Sequence, residues 1–122
     1  MRCEVGDIVC VNNFTYPNGS DGSYHNFVIV AIDEDELTLA HLDYFGFLVS
    51  SQINKNSDVN KNFPYNEPID PGEVSGLQKK SHVKCDELFN VKPDNVFMKL
   101  GMVTDEQYNK FMELYHKSLS ED

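Results

Sequence analysis

The chain has 122 residues, about one domain by length, with 40% hydrophobic and 25% charged residues, as in an ordinary globular protein. Ten basic against twenty acidic residues leave a net charge of −10, the reverse of a nucleic-acid binder's footprint, so any phosphate-binding role needs a locally positive face. No apolar run approaches the ~20 residues of a membrane span, and MRCEVGDIVCV lacks a signal-peptide pattern; both point to a cytoplasmic protein off the membrane.

Reading along one domain, 1–122, IVCVNNF after Gly6-Asp7 has the β-branched character of a first strand. YPNGSDGS at 16–23 is rich in turn formers and too long for a tight hairpin. FVIVAI at 27–32 is continuously apolar, which predicts a strand buried on both faces. Four carboxylates follow at 33–36; they cannot all face one ion, and a solvated hairpin tip suits them better. LTLAHL (37–42) and YFGFLVSS (44–51) then complete a meander of strands. A long polar loop spans 54–76, with a loose edge segment at FPYNEPI. Strand pattern resumes at SHVKCDELFNV (81–91) and VFMKLG (96–101), separated by a Lys-Pro-Asp-Asn turn. TDEQ at 104–107 is a capping box, opening a helix over about 104–118 with an apolar face of Tyr108, Phe111, Met112, Tyr115 and Leu119. Many short strands followed by one helix predict a mainly β protein, a small barrel or twisted sheet closed by its terminal helix.

Phosphate-loop, dinucleotide and zinc-ligand motifs are absent from the sequence. Cys3, Cys10 and Cys85 are odd in number and lack metal-ligand spacing, so free thiols are expected, with Cys10 a small buried apolar group. The remaining polar groups at strand ends are His25, Ser50, Ser51 and the triplet Lys84-Cys85-Asp86. In a strand Lys84 and Asp86 share a face and Cys85 turns into the core. An ammonium and a carboxylate so placed suit phosphodiester chemistry, the acid taking a proton and the cation stabilising the phosphoryl oxygens. Taken alone they are no more than an i,i+2 surface ion pair, and that plainer reading is favoured.

The order GDIVCVNN, Gly/Ser loop, HNFVIV, VSSQINK, SHVKCDELF, VFMKLGMVTDEQYNKF resembles the MazF/PemK family of type II toxin–antitoxin ribonucleases, from about Val5 to Leu114. The resemblance implies an SH3-like β-barrel of the MazF/CcdB type with a C-terminal helix, forming a homodimer and binding a cognate antitoxin. It implies an endoribonuclease, an mRNA interferase, that needs no metal or cofactor. Such toxins cut single-stranded RNA by turning the ribose 2′-hydroxyl on its own phosphate. Lys84 and Asp86 match the basic residue and aspartate of the PemK branch, and Ser51 or Ser50 the family's hydroxyl after the middle strand. His25 is the counterpart of a loop histidine in some members. The roles implied are Asp86 as general base, Lys84 and Ser51 as stabilisers of the phosphorane, and His25 as candidate acid. Asn26, Ser50, Lys79 and Lys80 are the expected RNA-binding residues.

Two departures stand out. The family's Arg-Pro before the second strand is Asn26-Phe27 here, and asparagine donates hydrogen bonds without carrying charge. Lys84 keeps a charge but lacks arginine's planar fork. With the acidic balance and the aromatic FPYNEP segment, they define an alternative: the same fold as a catalytically inactive binding module acting through protein partners.

Overall fold

The apolar run at 27–30 lies in the middle of the sheet, where a strand must be covered on both faces. The computed structural model describes residues 1–12, 18–19, 24–51 and 63–120. Within them β1 (Asp7–Val11), β2 (His25–Glu34) and β3 (His41–Ser50) form an antiparallel meander. β4 (Asn66–Ile69), β5 (Ser81–Lys84), β6 (Phe89–Val91) and β7 (Val96–Met102) complete one sheet, ordered β4-β5-β3-β2-β1-β7 with β6 also paired to β3. The helix α1 (Asp105–Ser120) follows. The loop 16–23, apart from Asn18 and Gly19, the end of the expected first strand and the early part of the 54–76 loop lie outside the described residues.

Strand alternation builds two cores. Ile8, Val28, Phe47, Val49 and Val83 face the side that α1 covers with Phe111 and Leu114. Val9, Phe27, Ile29 and Leu48 face the other side, against Phe89, Val91 and Val96. Phe27, Phe47 and Phe111 are fully buried, each contributing about 1.5–3 kcal/mol by area. Tyr115 packs on Phe47 with ring centres 5.4 Å apart, and Phe89 meets Phe27 edge-on at 5.9 Å.

The helix starts as its sequence dictates. Thr104 N–H donates to Gln107 Oε1 at 2.8 Å, and Gln107 N–H donates to Thr104 Oγ1 at 3.1 Å. Its buried face departs from expectation at one end, for Leu114 enters the core and Leu119, in the last turn, is 61% exposed.

Three other expectations need correction. LTLAHL is not a strand of its own: 36–38 is a turn, Leu37 is 94% exposed, Leu39 has φ +60°, and β3 begins at His41. Asp35 decides this, since its carboxylate accepts from the Thr38 N–H at 3.0 Å and the Thr38 hydroxyl at 2.5 Å. SHVKCDELFNV is likewise two strands. Val83 faces Val49 and Phe89 faces Gly46, so six residues here advance past only three of β3, and the excess forms a turn at Cys85-Asp86. Finally, among the described residues β4 and β7 do not pair, so hydrogen bonding leaves the barrel open. The β4–β5 connection spans the gap instead, where Met102 N–H donates to the Val74 carbonyl at 2.9 Å. Two glycines allow this approach. Gly76 has φ +72° and a Cβ there would strike the Leu100 carbonyl; a Cβ on Gly101 would strike the backbone of Val74 and Ser75. The expected edge segment at FPYNEPI is β4.

Candidate functional site

One end of the sheet gathers the N-terminus of β2, the C-terminus of β3 and the N-terminus of β5. Pairing is Asn26↔Val49 between β2 and β3, and Val49↔Val83 and Ser50↔His82 between β3 and β5. Neighbouring residues of a strand point to opposite faces, so these three ends divide the candidate residues into two sets.

The first set lies on the α1 side, with Val28, Val49 and Val83. Asn26, Ser51 and Lys79 line a cavity of about 300 Å³ there. The cavity also takes in Ser81 and Gln78, residues the sequence reading did not single out. Its far wall is Gly76, Leu77 and Leu100, the crossing where the β4–β5 connection meets β7. The lining is therefore two carboxamides, two hydroxyls, one ammonium and a small apolar wall. Such a surface makes many hydrogen bonds and holds little charge.

The second set lies on the opposite face. Ser50 sits directly across from His82, and continuing the β2–β3 register by one residue sets His25 against Ser50. Lys84 follows His82 at a spacing of two and shares its face, as does Lys80 before the strand begins. Burial lowers the pKa of His25, and burial followed by the Lys84 charge lowers that of His82. Both imidazoles are thus held toward the neutral form.

Asp86 is not a strand neighbour of Lys84. It lies exposed in the turn after β5, Lys84 is half-buried, and the two form no ion pair. At about 3.3 Å per strand residue, Lys84 stands roughly 10 Å along β5 from Ser81 and the cavity mouth. Cys85 does turn into the core, where burial first, then Glu67 and Asp86, push its thiol up to about 12. No nucleophile is available there. Cys10 is half-buried beside Asn26 rather than fully buried, and burial raises its thiol too.

The cations are unevenly used. Lys99 pairs with the buried Asp7 at 3.0 Å, Lys92 with Asp43 at 2.5 Å and Arg2 with Glu34 at 3.3 Å. Among the described residues Lys79, Lys80 and Lys84 have no carboxylate partner, so the uncommitted charge of the described sheet concentrates on one six-residue segment. The sequence carried a signal for His82 as well: KKSHVK places Lys80, His82 and Lys84 two apart, a polar stripe on one strand face.

This architecture is that of the MazF-like toxins, and the resemblance read in the sequence holds at the level of fold. The chain superposes on the Mycobacterium tuberculosis toxin MazF-mt6 with a TM-score of 0.64 at 15% identity, covering 95% of this chain and 98% of that one. An endoribonuclease in complex with its cognate antitoxin, from a mycobacterial species, gives 0.66 at 15% identity over 96% and 94% of the two chains. A further mycobacterial endoribonuclease gives 0.62 at 16% identity over 94% and 88%. No protein-family model and no curated protein sequence matches the chain. Among the described residues no helix is long and apolar enough to cross a membrane.

Proposed function

We propose that this protein is the toxin of a type II toxin–antitoxin pair, a metal-independent endoribonuclease that cuts single-stranded RNA and is held in check by a cognate antitoxin. The reading is carried by the convergence of His25, Asn26, Ser50 and Ser51 with β5 at one rim of a MazF-like fold. The antitoxin-bound endoribonuclease among the similar structures supports the partner. In a homodimer the rims of two copies would together offer RNA a longer track.

The chemistry is attack of the 2′-hydroxyl on the adjacent phosphorus, which expels the 5′-oxygen and leaves a 2′,3′-cyclic phosphate. The Lys84 ammonium opposes the charge that develops on the phosphoryl oxygens, and Ser50, on the same face, donates a hydrogen bond to them. Ser51, Asn26, Lys79 and Lys80 hold the flanking backbone. Two proton acceptors serve this face: Asp86, in the exposed turn after Lys84, and His25. Because burial lowers the pKa of His25, the ring is neutral near pH 7 and works as a base more readily than as the acid expected of it.

Purified protein should cut a mixed single-stranded RNA pool in excess EDTA and leave cyclic-phosphate ends. Lys84→Ala and Asp86→Ala should each abolish cutting while melting as the parent does. An RNA pool left intact by concentrated protein refutes the nuclease and favours the second reading, a binding module. That alternative draws on the uncharged Asn26 lining the cavity beside Ser51 and Gln78.

A further inference from the structure

His82 is an unusual residue for a strand interior. It is only 8% exposed, and its Nδ1 is sealed from solvent with no hydrogen-bond partner among the described residues. A buried ring nitrogen without a partner is costly, and the cost depends on whether it carries a proton. An unpaired N–H loses its water with nothing in return, whereas an unpaired lone pair is the lesser penalty. The neutral ring therefore keeps its proton on Nε2, the nitrogen that is not both sealed and unpartnered. Protonating both nitrogens would bury an unpaired donor beside the Lys84 ammonium, which agrees with the downward shift of this group. The imidazole is thus held as a neutral Nε2–H donor. Ser50 is opposite it, Lys84 is two residues along the same face, and Asn66 and Pro68 of β4 are the other strand neighbours. None of those neighbours carries a negative charge.

We propose that His82 is a substrate-contacting residue of the RNA site, its Nε2–H donating to a non-bridging oxygen of a backbone phosphate held between Lys84 and the His25–Ser50 pair. This rests on the RNA-binding half of the ribonuclease reading. It gives His82 a role that neither His25 nor Lys84 fills: a fixed neutral donor on a face otherwise served by a titrating ring and a flexible cation.

The test uses the full chain and a fluorescent pool of 2′-O-methyl RNA, which cannot be cut because the attacking hydroxyl is blocked. His82→Phe should weaken binding about tenfold, as loss of one hydrogen bond to a charged group does. The dependence of affinity on salt should stay as it was, since no charge is lost. Lys84→Ala, by contrast, should flatten the plot of log affinity against log salt by about 0.7. His82→Gln, which retains a donor, should recover part of the loss. Independently of any variant, nitrogen-15 NMR of histidine-labelled protein should find His82 as the Nε2–H tautomer, with that signal moving as RNA is added. An Nδ1–H tautomer, an unmoved signal, or His82→Phe binding and cutting like the parent overturns the assignment. The two readings fail separately. Protein that cuts RNA with no dependence on His82 refutes only this inference. Protein that binds 2′-O-methyl RNA through His82 and never cuts the unmodified pool refutes only the nuclease.

Discussion

Replacing Lys84 by alanine tests the idea that a chain of net charge −10 meets RNA through one short run of uncommitted cations. Among the described residues Lys79, Lys80 and Lys84 lack carboxylate partners, whereas Lys92, Lys99 and Arg2 are tied to Asp43, Asp7 and Glu34. Each lysine that neutralises a phosphate of single-stranded RNA contributes about 0.7 to the slope of log affinity against log salt. The three together contribute about 2, so a fourfold rise in salt should weaken binding by about fifteenfold through them. Fluorescence anisotropy with 2′-O-methyl RNA over a salt series reads this directly. Lys84→Ala, Lys79→Ala and Lys80→Ala should each lower the slope by about 0.7, and the triple variant should remove their whole share. Lys92→Ala is the control, because its ammonium is engaged by Asp43 and should leave the slope unchanged. If Lys92→Ala flattens the plot as much as Lys84→Ala, binding is a diffuse surface effect and the rim is not the site.

Tyr44→Phe should cost about 1–3 kcal/mol in urea unfolding with the m-value unchanged, since the fully buried hydroxyl accepts from Cys3 N–H at 2.9 Å and donates to the Met1 carbonyl at 3.0 Å. Thr104→Ala should cost about 1 kcal/mol in the same measurement, through loss of one half of the capping box. Stability should fall as pH drops below the ordinary histidine value of 6.5, because His25 and His82 take protons more readily in the unfolded chain than in the folded one. His82→Gln should show a smaller fall across that window, and equal falls would mean the buried ring is not the cause. Asn26→Arg, which returns a charge to the cavity beside Ser51, should tighten binding of 2′-O-methyl RNA and steepen its salt dependence by about 0.7, as one added phosphate contact does. An unchanged slope in a protein that melts normally would separate the cavity from the RNA.

What could be read in the sequence was whatever depends on near neighbours. TDEQ caps its helix because both hydrogen bonds close within four residues, and FVIV is central because its composition admits no solvent-facing side. LTLAHL misled because its leucines look like strand residues, while the outcome was set by one carboxylate gripping Thr38. SHVKCDELFNV misled for a nonlocal reason. Its two halves pair with different parts of β3, and nothing within the segment announces that three residues must loop out between them. The consequence falls on chemistry, because Asp86 sits in a turn beyond the strand that positions Lys84.

The candidate residues were legible as types and illegible as faces. Ser50 and Ser51, like His25 and Asn26, are equivalent strand-end polar groups until the register is known; then each pair splits, one member to the cavity and one to the Lys84 face. β5 and the residues just before it divide in the same way, with Lys79 and Ser81 toward the cavity and His82 and Lys84 away from it. A flexible polyanion crossing this rim meets hydroxyl and carboxamide donors on one side and cations with a neutral imidazole on the other. That division also bears on the missing arginine. With Asn26 uncharged, the electrostatic work must come from β5, and at physiological salt a charge acts over only about 8 Å. In the proposed ribonuclease the catalytic phosphate would therefore lie on the face that Lys84 and His25 share, and the cavity would hold a neighbouring nucleotide.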